Sequence, residues 1–130
     1  LARRAINDGM CVAALTRNHN TANGLRELGV NPVIEAELDS TTWHDKLNPR
    51  QDFVLNYISS GGGGLAAYHI SYYLGQSSIL SWANEGSVGT LVFTSITSVY
   101  PESNGKWIDE VFTHEGYRKR AKSYSMQNIY

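Results

Sequence analysis

GTLVFTSITSVYP, residues 89–101, sets how the rest of the chain is read. An apolar strand, Gly89 to Thr94, runs out into hydroxyls: Thr94, Ser95, Thr97, Ser98 and Tyr100, with Ile96 in their midst. Hydroxyls gathered at a strand end are either an active-site edge or an ordinary polar loop. The elements around this stretch decide between the two.

Working back from it, Leu65 to Ala83 predicts a long helix. Ile70, Tyr73, Leu74 and Leu80 recur at helical spacing and predict its inward stripe. Four glycines, Gly61 to Gly64, precede that helix and follow a second apolar strand, Phe53 to Ile58. Ser40-Thr41-Thr42 can cap a short helix through Leu47, which Asn48-Pro49 ends. Val33 to Leu38 is a further element, opened by Pro32, which can only begin a strand. Thr21 to Leu28 reads as a helix stopped by Gly29, and Cys11 to Thr16 as a short buried strand. Leu1 to Asp8 reads as the end of a helix stopped by Gly9, and a polar helix follows the loop of Pro101, Asn104 and Gly105.

Strands alternating with helices predict an α/β fold with a parallel sheet and right-handed crossovers. Ligands in such sheets bind beyond the carboxyl ends of the strands. The loops of interest therefore follow Thr16, Leu38, Ile58 and Thr94.

Composition bounds the alternatives. The 130 residues suit one domain, and 42% apolar with 18% charged residues is globular composition. A net charge of −1 gives no electrostatic footprint for nucleic acid. The basic run from Tyr117 to Lys122 reads as a solvated helix face. The single cysteine, Cys11, excludes an internal disulfide framework and reads as a buried structural thiol. No apolar run approaches the roughly 20 residues of a membrane span, and no signal peptide is visible, so the default location is cytoplasmic. His19, His44, His69 and His114 lack metal-ligand spacing. Trp43, Trp82 and Trp107 read as packing residues.

Each loop has two readings. In a dinucleotide fold the strand end at ALTRN, residues 14–18, meets the adenosine ribose, where an arginine accommodates a 2′-phosphate. Arg17 suits that role, or it is a surface residue of the loop. In EAELDS, residues 35–40, Glu37 or Asp39 could accept from an adenine amine, or Asp39 could favour a helix N-terminus. NYISSGGGG, residues 56–64, permits close approach of backbone to a ligand, or is a flexible loop. It is not a Walker loop, because no Gly-Lys-Ser/Thr follows.

Taken in order, LTRN, VIEAEL, DFVLNYISSGG and GTLVFTSITSVYP resemble the extended and atypical short-chain dehydrogenase/reductases. The NAD-dependent epimerase/dehydratase-like branch is the closer match, over nearly the whole chain. The resemblance implies a Rossmann-like parallel sheet with flanking helices that holds NADP or NAD. It implies that the first strand and its glycine-rich turn precede Leu1, and that a C-terminal substrate domain follows, so residues 1–130 would be a partial nucleotide-binding domain. It places Thr16 and Arg17 near the adenosine 2′ position, favouring NADP. It places Glu37 and Leu38 beside adenine, and Ile58, Ser59 and Ser60 along the ribose and pyrophosphate wall. Thr94 and the catalytic candidates Ser95, Thr97 and Tyr100 fall beside the nicotinamide.

The family's catalytic hydroxyl sits four residues before the Tyr of its Val-Tyr pair, and here that position is Ile96. Its Tyr-x-x-x-Lys pair would start at Tyr117, but Ala121 stands where the lysine belongs. The implied activity is hydride transfer to or from a carbonyl or alcohol, such as a sugar nucleotide. The alternatives are a non-catalytic NADP-binding sensor and an inactive truncated product. A homodimer through the Leu65 to Ala83 helix also follows by resemblance alone.

Overall fold

A computed structural model of the chain describes residues 1–94 and Trp107. The candidates Ser95, Thr97 and Tyr100, the departures at Ile96 and Ala121, and the C-terminal helix lie outside the described residues.

Helices and parallel strands alternate. Helix α1 spans Ala2–Asn7, β1 Ala14–Thr16, α2 His19–Glu27 and β2 Val33–Glu35. A 3-10 turn at His44–Lys46 leads into β3, Arg50–Asn56. A continuous helical segment follows: α3 Gly64–Tyr68, π-helical turns His69–Leu74, and α4 Gly75–Asn84. Strand β4 spans Ser87–Phe93. The α/β class is as expected from the sequence, and the strands form two separate parallel pairs, β1 with β2 and β3 with β4.

Local chemistry explains the boundaries. Asn18 caps α2 by accepting from the Thr21 amide at 2.9 Å. The chain leaves α2 through Gly29, at φ +86°, a left-handed conformation that costs glycine little. Strand β3 starts three residues earlier than the apolar run suggests, because backbone pairing to β4 continues to Arg50 and Ser87. Conversely, β1 and β2 are only three residues each, shorter than the runs Cys11–Thr16 and Val33–Leu38.

The core is built on α4. Ile34 of β2, Trp43, Ile79 and Trp82 form its buried centre. Leu15 of β1, Val54 of β3 and Leu91 of β4 pack against it, so both strand pairs share one apolar mass. The two indoles lie 5.5 Å apart between ring centroids. Each donates its ring N–H to a backbone carbonyl: Trp43 to Leu38 at 3.2 Å, Trp82 to Leu47 at 2.8 Å. Those bonds satisfy the polar tips that burial would otherwise leave unpaired.

Three sequence expectations are corrected. Ile70, Tyr73, Leu74 and Leu80 are exposed, and the inward residues are Gly75, Gln76, Ser78, Ile79 and Trp82. The wider π turns at His69–Leu74 shift the helical phase, so the stripe read at 3.6-residue spacing does not continue into α4. Cys11 is exposed, because β1 begins only at Ala14 and the residues before it border open space. Trp107 is 100% exposed and packs nothing.

Candidate functional site

The loops that follow β1 and β3 meet. Arg17, the first residue after β1, reaches over Gly61 in the loop after β3. A Cβ on Gly61 would stand 3.6 Å from the arginine's Nη2. The other branch of the guanidinium, Nη1, lies 3.7 Å from Glu37 Oε2, in the loop after β2. Three loops from three strand ends thus converge on one cation. Both side chains of the ion pair are exposed and the contact is long, so water screens it and it holds the arginine loosely.

The other residues singled out by the sequence divide into two groups. Ser59 is exposed and Ser60 and Ile58 are half-buried beside the Gly61 turn. Thr16, Leu38 and Thr94 are engaged within the fold. Thr16 Oγ1 accepts from the Asn18 amide at 3.2 Å. Leu38 turns inward, with its side chain where a Cβ on Gly75 would meet it at 2.9 Å. Thr94 donates both its amide, at 3.0 Å, and its hydroxyl, at 2.8 Å, to the Asn56 carbonyl.

That carbonyl belongs to a buried polar junction the sequence reading missed. Asn56 ends β3 and is buried. Its side-chain oxygen accepts from the Ile58 amide at 3.1 Å, and its amide nitrogen donates to Gln76 Oε1 at 3.0 Å. Asn56 therefore fixes the start of the loop carrying Ile58, Ser59 and Ser60, and pins Thr94 beside it. The signal in the sequence was an asparagine closing the apolar run FVL, which the strand reading passed over.

A second missed cluster clamps α2 to β2. Glu35 accepts from His19 Nδ1 at 2.8 Å and from Arg26 Nη2 at 2.7 Å. Asn23 closes the ring, contacting His19 Nε2 at 3.1 Å and accepting from Arg26 Nη1 at 3.0 Å. The hydrogen bond from His19, then that from Arg26, holds the Glu35 carboxyl below its ordinary 4.5. A lowered folded-state pKa means the stabilisation is complete above 4.5 and is lost as pH falls through the folded-state value. Glu35→Gln should therefore lower the urea midpoint at neutral pH, with the difference from wild type closing as pH falls below 4.5. Urea titrations of both proteins across that range test this, and a pH-independent difference would contradict it.

Among the described residues no group of three or more His, Cys, Asp or Glu side chains could hold a metal, and no helix is long and apolar enough to cross a membrane. Comparison with family models, with curated proteins and with solved structures finds no match.

Proposed function

We propose that this chain is the adenosine-binding part of a Rossmann-like NADP- or NAD-binding protein. The observation that carries the reading is the meeting of Arg17, Glu37 and Gly61 at the carboxyl ends of parallel strands. Strand-end loops are where open α/β sheets take ligands. A loosely paired, exposed guanidinium is a planar donor set suited to a 2′-phosphate. Glu37 is the alternative partner for an unphosphorylated ribose or for adenine, and its nearness to Arg17 makes the two roles compete. Ser59, Ser60 and Ile58 would form the wall beside the ribose and pyrophosphate. Thr16, Leu38 and Thr94 act by positioning, since their side chains are already engaged.

The nicotinamide of such a cofactor supplies hydride chemistry. In the oxidoreductase or epimerase/dehydratase reading, Ser95, Thr97 and Tyr100 are the candidates to hold the carbonyl or alcohol of a sugar nucleotide or similar substrate. Ile96, at the position of the family's hydroxyl, favours the second reading, a non-catalytic NADP sensor.

Titration of the chain with NADPH and NADH, read by nicotinamide fluorescence, tests the binding. NADPH should bind more tightly, by roughly tenfold to a hundredfold, the worth of one charged hydrogen-bonded contact. Arg17→Ala should remove that preference and leave NADH binding in place. Failure of either dinucleotide to bind would overturn the reading. Turnover with a sugar nucleotide would separate the enzyme from the sensor.

A further inference from the structure

We infer that Tyr72 makes the strand-end site prefer the oxidised dinucleotide, NADP+, to the reduced one, NADPH. The inference rests on the dinucleotide reading above and sharpens it, since such a site reports the redox state of the cofactor as well as its presence.

A continuous surface leads from the arginine to the tyrosine. Arg17 reaches over Gly61. Two residues on, a Cβ on Gly63 would stand 2.6 Å from that of Ala67, so the glycine turn closes directly on the start of α3. The next residue, Tyr68, meets Tyr72 one turn later, with ring centroids 5.5 Å apart and planes inclined at 49°. Tyr72 in turn meets Phe93, the last residue of β4, edge to face at 6.3 Å and 72°. All three aromatic residues are half-buried.

The level of Tyr72 follows from Gln76. That residue stands about one helical turn after Tyr72 and bonds to Asn56, which ends β3. The helical segment starts at the strand ends and runs back along the sheet to reach β4. Tyr72 therefore lies at the carboxyl ends of β3 and β4, where open α/β sheets take ligands. It also falls within the π turns, His69–Leu74, and such turns recur at functional sites. Beneath it the core is aliphatic at Val54, Ile79 and Leu91, and at the strand ends the side chains change to rings.

A dinucleotide with its 2′-phosphate on Arg17 carries its nicotinamide at the far end, and the aromatic row is the surface continuous with the arginine. The phosphates are common to both oxidation states, so any selection falls on the ring. Oxidised nicotinamide is a planar pyridinium cation, and reduced nicotinamide is a neutral dihydropyridine. The electron-rich face of a tyrosine attracts a cation within about 6 Å of its centroid, which at a half-buried site amounts to about threefold to tenfold in affinity.

The experiment is calorimetric titration of the whole chain with NADP+, NADPH and adenosine 2′,5′-bisphosphate, which lacks the nicotinamide. NADP+ should bind about threefold to tenfold more tightly than NADPH. Tyr72→Leu keeps the charge and most of the volume, and should make the two affinities equal while leaving the bisphosphate affinity unchanged. Tyr72→Phe, which keeps the ring, should retain the preference. Equal affinities in the wild type would overturn the inference, as would a preference that survives Tyr72→Leu or is lost in Tyr72→Phe. Loss of bisphosphate binding in Tyr72→Leu would also overturn it, since the effect would then be on the fold and not on the ring. Binding of none of the three ligands would overturn the dinucleotide reading itself, and this inference with it.

Discussion

Replacing Trp82 with alanine is expected to lower the unfolding free energy by about 3–5 kcal/mol. The indole is 2% exposed, stacks obliquely near Trp43 and donates to Leu47 O. Truncation removes the centre of the core shared by both strand pairs and leaves the Leu47 carbonyl without its donor. Domains of this kind are stable by only about 5–15 kcal/mol, so much of the total is at stake. Trp82→Phe should keep most of the packing and lose the hydrogen bond, a loss of about 1–2 kcal/mol. Urea unfolding followed by far-ultraviolet circular dichroism reads both variants. A loss below about 1 kcal/mol for Trp82→Ala would show that the two strand pairs do not depend on a common core.

Asn56→Ala is the second large effect, at about 2–4 kcal/mol. It strips the acceptor from the Ile58 amide and the donor from Gln76 Oε1, in a buried place. Pairing it with Gln76→Leu isolates the interaction, and a coupling energy of about 1 kcal/mol is expected from the double-mutant cycle. The consequence for function is local. The loop carrying Ser59 and Ser60 loses its anchor, so any ligand affinity at the strand ends should fall even where the folded population is restored by lower temperature. An unchanged urea midpoint in Asn56→Ala would mean that water replaces both bonds.

The parts of the fold readable from the sequence were those set by local chemistry. Gly9 and Gly29 end helices with φ of +83° and +86°. The order of elements follows from alternating apolar runs and breakers, and Trp43 and Trp82 are the large side chains that a small core needs. What could not be read depends on tertiary partners. Strand ends are fixed by pairing, which lengthens β3 and shortens β1 and β2. The inward face of the long helix is fixed by where the π turns fall, and a 3.6-residue pattern is blind to them. At the site, Arg17 and Glu37 were legible as strand-end residues, but their convergence with Gly61 was not. The Asn56–Gln76 pair and the His19–Glu35–Arg26 ring escaped because each joins residues whose chemistry is ordinary until the fold brings them together.

The separate pairing of the strands also bears on how the chain folds. Each pair is closed by the segment that runs between its two strands, α2 in one case and the α3–α4 segment in the other. Neither pairing has to wait for the other, since no ladder joins them among the described residues. The entropy of loop closure is met twice over modest chain lengths, not once over a long one, which favours speed. Two nuclei can form in parallel. On this topology the expected late event is side-chain docking, the meeting of Trp43 with Trp82, and not strand registration.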